Sequence, residues 1–146
     1  MRDDPQSLAA RVGAAMFARD EAARALGIAI EEIGPGFARA TMTVRDDMVN
    51  GHGMSHGGLT FTLADTAFAY ACNSHNHSTV AAAAEIQFLS PGRVGETLVA
   101  VARERTRSGR TGIYDVDVTE RVSGRVVALF RGRSQQISGS VVGDPS

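Results

Sequence analysis

The apolar residues near the start of the chain recur three and four positions apart, which is the spacing of an amphipathic helix. This pattern runs over residues 5–26. Pro5 suits a first helical turn, and Gly27 is a suitable stop directly after the pattern ends. We therefore predict one N-terminal helix over residues 5–26.

A β-hairpin is predicted to follow this helix. Residues 28–33 form a short apolar segment, and polar and apolar residues alternate over residues 37–44. The intervening Gly34-Pro35-Gly36 is the strongest turn signal in the chain. Two β-type segments joined by such a turn indicate an antiparallel pair.

A second helix is predicted over residues 57–74. It follows a glycine-rich loop, residues 45–58, that also contains two histidines and an asparagine. Apolar residues cover nearly the whole circumference of the predicted helix, which is typical of a helix that is buried.

Four long strands complete the pattern, and turn residues separate them. They are predicted over residues 79–89, 96–106, 111–121 and 125–138, with a flexible tail over 139–146. The element order α-β-β-α-β-β-β-β predicts an α+β fold in which a curved antiparallel sheet wraps around one long buried helix. A doubly wound parallel sheet is excluded because the helices do not alternate with the strands.

Composition and charge narrow the class of protein. The chain has 146 residues, 43% of them hydrophobic and 21% charged, so we expect one globular domain over residues 1–146. A formal net charge of −1 argues against a nucleic-acid or membrane-surface partner. The chain has no apolar run long enough to span a membrane, and its start does not resemble a signal peptide, so we expect a cytoplasmic protein.

Several kinds of chemistry are excluded by residue type. The single cysteine, Cys72, excludes an internal disulfide and a multi-cysteine zinc site. All 15 basic residues are arginine, so no lysine is present to form a Schiff base. His52 and His56 are four positions apart, but the glycines around them disfavour a shared helical face and no third ligand is evident. We expect no metal and no cofactor.

Asp65 is the most informative residue, because it lies in the middle of the predicted buried helix. A buried carboxylate without a partner is costly. One interpretation is structural, with Asp65 bonded to an arginine of a partner chain or to the hydroxyl of Thr62 or Thr66. The other is functional, with Asp65 acting as a general base or a nucleophile at a pocket.

His56-Gly57-Gly58 stands at the start of the same helix. The first N–H groups of a helix have no internal partner and carry the positive end of the helix dipole, so they can polarise a carbonyl oxygen. Gly57 and Asp65 are eight residues apart, about 12 Å along a helix. They cannot act on the same carbon within one chain. Two antiparallel helices across a two-fold axis would bring Gly57 of one chain beside Asp65 of the other.

The order of these motifs resembles the hotdog-fold acyl-CoA thioesterases, and most of all the phenylacetic-acid-degradation group known as PaaI. The resemblance covers about residues 25–138. The matching segments are Asp47-Met48-Val49-Asn50-Gly51-His52, His56-Gly57-Gly58, Leu63-Ala64-Asp65-Thr66-Ala67-Phe68-Ala69-Tyr70-Ala71-Cys72-Asn73-Ser74, Phe88-Leu89-Ser90-Pro91-Gly92, Thr111-Gly112-Ile113-Tyr114-Asp115-Val116 and Ala128-Leu129-Phe130-Arg131-Gly132.

The resemblance implies a hotdog fold, a dimer of dimers (a homotetramer), acyl-CoA as the substrate, and active sites at the dimer interface. It implies that Asp65 is the base or nucleophile and that the Gly57 N–H polarises the thioester carbonyl. Asn50 and His56 would position the thioester or the attacking water. The residues expected to contact the acyl group or CoA are Gly58, Phe61, Phe68, Ala81, Ala83, Phe88, Arg107 and Arg133. Some relatives carry a serine on the strand after the helix, where this chain has four alanines, Ala81–Ala84.

The predicted reaction is hydrolysis of arylacetyl-CoA, phenylacetyl or ring-hydroxylated, in preference to long straight-chain acyl-CoA. The family resemblance and the aromatic residues Phe61, Phe68 and Tyr70 motivate this choice. Two alternatives stay open: a hotdog dehydratase or hydratase that would pair His56 with Asp65, and a non-catalytic acyl-CoA-binding protein.

Overall fold

The computed structural model describes residues 3–143 and contains three α-helices, one short 3-10 helix (Asp46–Met48) and six strands there. The α-helices and strands are α1 (Pro5–Arg19), α2 (Glu21–Ala25), β1 (Ala29–Gly34), β2 (Phe37–Thr43), α3 (Gly57–Asn73), β3 (Thr79–Phe88), β4 (Thr97–Ser108), β5 (Thr111–Glu120) and β6 (Val126–Gln136). None of the helices in this range is both long enough and apolar enough to cross a membrane.

The strands form a single sheet in the order β1-β2-β4-β5-β6-β3, and every neighbouring pair is antiparallel. Helix α3 packs across the sheet, mainly against β2, β4 and β5. The predicted α+β fold is confirmed, with one long central helix and an additional N-terminal helical segment. The crossover that places β3 beside β6 leaves β3 at one edge of the sheet.

Small side chains on the sheet allow α3 to lie close to it. In the centre of the sheet, fully buried alanines face the helix: Ala38, Ala40, Ala100 and Ala102. On β6, a Cβ atom added to Gly132 would lie only 2.7 Å from the ring of Phe68. The absence of a side chain at Gly132 therefore makes room for the ring of Phe68 in α3.

The predicted single helix over residues 5–26 is wrong, because the chain breaks at Asp20 into α1 and α2. The Asp20 backbone is not helical, and one carboxylate oxygen accepts a hydrogen bond from the N–H of Ala23 and caps α2. The other oxygen accepts a hydrogen bond from the Tyr70 hydroxyl at 3.0 Å. Asp20 thus starts a new helix and ties it to α3, a capping signal that the continuous apolar pattern obscured.

The first part of the predicted flexible tail is hydrogen-bonded to the domain. Asn76 Oδ1 accepts from the N–H groups of Val141 and Val142, and its Nδ2 donates to the carbonyl of Val142. The Ser78 N–H donates to the carbonyl of Gly139. These bonds anchor residues 139–143, in contrast to the sequence-based expectation, and residues 144–146 lie outside the described residues.

Candidate active site

The amino end of α3 presents an unused hydrogen-bond donor. His56 is the N-cap, and its Nδ1 accepts a hydrogen bond from the N–H of Gly58 at 3.4 Å. The neighbouring N–H of Gly57 has no acceptor within residues 3–143. It lies at the positive end of the α3 dipole, where it can donate to a developing negative charge. The His56 ring, predicted to position the thioester or water, is thus used at Nδ1 to cap the helix.

Asn50 is held in one orientation by the loop before α3. Its Oδ1 accepts hydrogen bonds from the N–H groups of His52 at 2.9 Å and Met54 at 3.2 Å. Because both bonds require the carbonyl oxygen, the amide nitrogen Nδ2 must point the other way. Asn50 therefore offers an N–H donor beside the amino end of α3, and its role as a positioning residue stays a prediction.

A cavity of about 290 Å³ opens beside these two donors. Phe88 packs against the start of α3, since a Cβ atom added to Gly57 would lie 3.2 Å from its ring. The lining is mostly apolar and comes from four parts of the chain: Asn50, Met54, Ser55, Gly57, Thr60, Phe88, Leu89, Ser90, Pro91, Gly92 and Val127. The structure thus brings together Gly57, Asn50 and Phe88, three of the residues predicted for the site, around one cavity.

Asp65 lies two turns farther along α3 and does not line this cavity. It is half-buried, and burial raises the pKa of its carboxyl above the ordinary value of 3.8. The hydroxyls of Thr62 and Thr66 donate to the carbonyls of Gly58 and Thr62. Asp65 has no hydrogen bond or ion pair within residues 3–143, so these threonines do not supply the structural partner that was considered for it.

The half-buried residues of α3 form one stripe along the helix, because they recur at positions that share a face. They are Phe61, Thr62, Asp65, Thr66 and Ala69. The expectation that α3 is buried all round is therefore wrong for a single chain. The opposite side faces the core, and this stripe is the side that the sheet leaves uncovered.

Two aromatic residues expected near the substrate belong to the core instead. Phe68 and Tyr70 are both fully buried. Phe68 packs against Gly132, Tyr114 and Phe130, so its predicted contact with substrate is corrected. Phe61 is half-buried, with its ring edge-on to Phe130 at 5.4 Å, and Gly58 is exposed in the first turn.

Strand β3 is exposed along most of its length. Ala81 and Ala83, predicted to contact substrate, lie on this strand, and all four alanines of Ala81–Ala84 are exposed. Ala81 pairs with Ser134 and Ala83 with Arg133, with a bulge between the two alanines. One long side of β3 has no neighbouring strand within residues 3–143.

Arg107 and Arg133 point to opposite faces of the sheet. Arg107 pairs with the buried Gly112, on the face that α3 covers, and its Nε lies 3.1 Å from the Glu104 carboxylate. Arg133 follows Gly132, whose missing side chain accommodates Phe68, so Arg133 points to the outer face. The two arginines therefore cannot bind phosphates of one CoA on a single face of one protomer.

Sequence reasoning missed part of the cavity wall. Thr60 and Val127 are buried, and in the sequence they resemble ordinary core residues. Ser55 lies in the irregular loop before α3, where no pattern singles it out. Ser90, Pro91 and Gly92, which belong to one of the segments that resemble the family, line the same cavity. Within residues 3–143 no three His, Cys, Asp or Glu side chains are placed to hold a metal ion.

Comparisons with known proteins show what this chain is similar to. The family model described as Thioesterase superfamily matches residues 52–127, a range that includes Gly57 and Asp65. The chain is 49% identical over 130 residues to the acyl-coenzyme A thioesterase PaaI of Escherichia coli (strain K12), which covers 89% of this chain and 92% of that protein.

Solved structures give the same result. The E. coli PaaI protein from the phenylacetic acid degradation operon matches with a TM-score of 0.92 and 47% identity, over 94% of this chain and 99% of that chain. A hypothetical thioesterase protein from Streptococcus pneumoniae TIGR4, solved with coenzyme A, matches with a TM-score of 0.73 and 26% identity, over 77% of this chain and 90% of that chain.

Proposed function

Since this chain belongs to the thioesterase superfamily and is a thioester hydrolase of the PaaI type with a hotdog fold, we propose that it hydrolyses arylacetyl-CoA to the free acid and CoA. The observation that carries the proposal is the unpaired N–H of Gly57 beside an apolar cavity. The reaction needs a hydrogen-bond donor for the carbonyl oxygen and a space for the acyl group. The N–H of Gly57 and the cavity beside it would provide both.

The Gly57 N–H would polarise the thioester. A hydrogen bond from this N–H to the carbonyl oxygen strengthens as negative charge develops on that oxygen during attack. Donors of this kind are worth about 10²- to 10³-fold in kcat. The Asn50 Nδ2 group, fixed by the two bonds to its Oδ1, would hold the thioester or the attacking water.

Asp65 would supply the second half of the chemistry. Ionised, it either removes a proton from water or attacks the carbonyl carbon itself, after which water cleaves the acyl-enzyme. The C–S bond breaks, the thiolate sulfur takes a proton, and the acid and the CoA thiol leave. His56 uses Nδ1 to cap α3, so a hydratase that paired His56 with Asp65 would have to move protons through Nε2 alone.

We infer that each active site combines two chains. Within one chain Gly57 and Asp65 are separated by about 12 Å along α3. The exposed edge of β3 offers unpaired backbone groups, which readily pair with a second chain. Two β3 strands paired across a two-fold axis would extend the sheet and set the uncovered stripes of two α3 helices side by side.

Such a dimer explains why Asp65 has no partner within the described residues of one chain. In an antiparallel arrangement the partner's Asp65 would lie beside Gly57, with the small side chains of Ala81–Ala84 allowing close approach at the interface. The pairing of two such dimers into a tetramer is proposed from the resemblance to the PaaI group.

The arylacetyl preference is supported by the similarity to E. coli PaaI, a protein described as coming from the phenylacetic acid degradation operon. It is also supported by Phe88 at the cavity and Phe61 on the uncovered stripe of α3. The buried rings of Phe68 and Tyr70 no longer support it. A cavity of about 290 Å³ suits a compact ring better than a long acyl chain.

A panel of acyl-CoA substrates tests the proposal directly, with release of free thiol as the measurement. We expect kcat/KM for phenylacetyl-CoA or a ring-hydroxylated form to exceed that for palmitoyl-CoA. A higher kcat/KM for palmitoyl-CoA would contradict the arylacetyl preference. Formation of a double bond without thiol release would instead indicate dehydratase chemistry.

A further inference from the structure

A bulge in β4 brings Glu104 and Arg107 to the same face of the sheet. The register of β4 against β5 shifts directly after Glu104, where Arg105 is one extra residue on β4. In a regular strand, residues three positions apart point to opposite faces, but a bulge redirects the side chains that follow it. The Nε atom of Arg107 thus lies 3.1 Å from the Oε1 atom of Glu104.

The Glu104 carboxylate is held by three further parts of the chain. Its Oε1 accepts a hydrogen bond from the Tyr114 hydroxyl at 2.9 Å and lies 2.9 Å from Nε2 of His75. At the turn between β1 and β2, a Cβ atom added to Gly36 would lie only 2.9 Å from the Cβ of Glu104. Burial acts to raise the pKa of this carboxyl. The hydrogen bonds from His75 and Tyr114 and the charge of Arg107 outweigh burial and hold the pKa below its ordinary value of 4.5. The carboxylate is therefore ionised at neutral pH and fixed in one place.

The far end of the Arg107 side chain is left available to an anion. The side chain is 48% exposed, and its terminal amino groups Nη1 and Nη2 have no hydrogen bond or ion pair within residues 3–143. Arg107 and Arg110 line one small cavity, so a second positive charge is nearby. Because a guanidinium group is planar, one that is held at Nε presents its two terminal amino groups as a fixed fork that matches phosphate oxygens.

Arg131 on the outer face of the sheet shows a different use of a pair between an arginine and a carboxylate. Asp115 accepts hydrogen bonds from Nε of Arg131 at 2.6 Å and from its Nη2 at 2.9 Å. That pair occupies most of the guanidinium fork, whereas Glu104 contacts Arg107 on the Nε side only. The pair of Glu104 with Arg107 is thus suited to hold an arginine for a ligand.

We propose that Glu104 is a positioning residue that aims the guanidinium group of Arg107 at a phosphate group of CoA. The proposal rests on the proposed function, since that phosphate belongs to the acyl-CoA that the enzyme would hydrolyse. An arginine that is already oriented loses less side-chain freedom on binding, so the phosphate is bound more tightly. The negative charge of Glu104 acts in the opposite direction, because it repels the phosphate. The two effects have opposite signs, so the sign of the change in KM on substitution separates them.

The test measures kcat and KM by thiol release, for the best acyl-CoA of the substrate panel and for the matching acyl-pantetheine thioester, which lacks the phosphates. Glu104→Gln removes the charge that holds Arg107 and keeps the shape of the side chain. We expect its KM for acyl-CoA to rise about three- to fivefold, the scale of one partly exposed ion pair, with kcat within about 1.5-fold of wild type. Its KM for acyl-pantetheine should not change.

Two further variants show that the effect passes through Arg107. In an Arg107→Ala background, Glu104→Gln should have no further effect on KM, because the residue that it positions is gone. The matched control is Asp115→Asn, which removes a carboxylate paired with an arginine on the outer face of the sheet. It should leave KM for acyl-CoA within about 1.5-fold of wild type.

Four results would overturn the assignment. One is an unchanged or lower KM for acyl-CoA in Glu104→Gln, which would mean that Glu104 does not aim Arg107. The others are an equal rise with acyl-pantetheine, a further rise in the Arg107→Ala background, and an equal rise in Asp115→Asn. If Glu104→Gln does not fold, Glu104→Asp is measured with the same expectations, because it withdraws the carboxylate from Arg107 but keeps the charge. Absence of thiol release from every thioester would contradict the proposed function itself, a result distinct from the other four.

Discussion

At the scale of single residues, the carboxyl group of Asp65 is held where water solvates its charge poorly. Burial raises its pKa above the ordinary value of 3.8, and no donor within residues 3–143 offsets that effect. An ionised Asp65 is consequently a stronger base than an exposed aspartate, as a residue that activates water should be. The same placement has a consequence for stability.

Because the folded-state pKa of Asp65 is raised, the folded chain binds this proton more tightly than the unfolded chain. The free energy of unfolding therefore falls as pH rises from the ordinary pKa through the raised one. We expect Asp65→Asn to raise Tm at about pH 7, and the difference to vanish below the ordinary pKa of 3.8. Thermal denaturation across this pH range measures it.

The exposed Asp117 on β5 provides the matched control, because Asp117→Asn removes one carboxylate without removing a buried charge. Its effect on stability should stay within about 0.5 kcal/mol at each pH. A Tm for Asp65→Asn that is below that of the wild-type chain at neutral pH would contradict the account, since it would mean that ionised Asp65 stabilises the fold.

At the scale of elements, the contact between α3 and β6 depends on Gly132. A methyl group there would lie 2.7 Å from the buried ring of Phe68, and overpacking of this kind costs about 1–3 kcal/mol. We expect Gly132→Ala to lower the free energy of unfolding by that amount in denaturant titrations. Gly143→Ala, with nothing within 4 Å of the added atom, should have little effect.

A double variant shows whether the ring is the cause. In a Phe68→Leu background the added methyl group has more room, so Gly132→Ala should cost at least about 0.5 kcal/mol less than in the wild-type chain. Equal costs in the two backgrounds would mean that the strain arises elsewhere in β6.

Much of this element scale was predictable from sequence, because the hydrophobic period and the turn residues are local signals. The hairpin, the central helix and the four long strands follow from them. The break at Asp20 could not be predicted in this way, because the apolar pattern continues across it. The hydrogen bond from the Tyr70 hydroxyl of α3 to Asp20 joins residues that are far apart in the sequence.

Candidate site residues could be picked from the sequence only where the residue type itself suggests a chemical role. Gly57, Asn50 and Asp65 are conspicuous because a glycine pair, an amide and a buried carboxylate each limit what the position can do. Whether an aromatic residue on α3 faces the core or the cavity depends on the face of the helix that the sheet covers. This is why Phe68 was assigned to the substrate although it packs on Gly132.

At the scale of the whole molecule, the proposed dimer would place the thioester at Gly57 and the CoA phosphates farther along the partner's α3. The partner's Asp65 would lie beside Gly57, and the carboxyl end of the partner's α3 would extend about 12 Å beyond it. Arg107 lies near that end of the helix, since it lines a small cavity with Cys72 and His75. The partner's Arg107 would thus approach the phosphates of CoA, whereas Arg133 is on the outer face.

This arrangement predicts that Arg107→Ala raises KM for acyl-CoA more than it lowers kcat, because a remote phosphate contact contributes uniform binding. Steady-state kinetics with acyl-CoA and with the matching acyl-pantetheine thioester, which lacks those phosphates, separate the two effects. Arg133→Ala is the control on the opposite face and should leave KM nearly unchanged. An equal loss with acyl-pantetheine would remove Arg107 from the CoA site.

The central claim is that one active site takes Gly57 from one chain and Asp65 from another. Asp65→Asn removes the base, with an expected loss of about 10²- to 10⁴-fold. Gly57→Pro removes the N–H at a first helical position, where proline is tolerated. Its control is Gly57→Ala, which brings a Cβ atom equally close to Phe88 but keeps the N–H.

Mixed dimers that carry one lesion in each chain measure this claim most directly. If the site is shared, one site of the mixed dimer carries both lesions and the other carries neither, so about half of the wild-type kcat per dimer should return. If both residues serve a site within one chain, every site carries one lesion. Mixed dimers that are folded and dimeric, yet as inactive as either parent, would contradict the shared site.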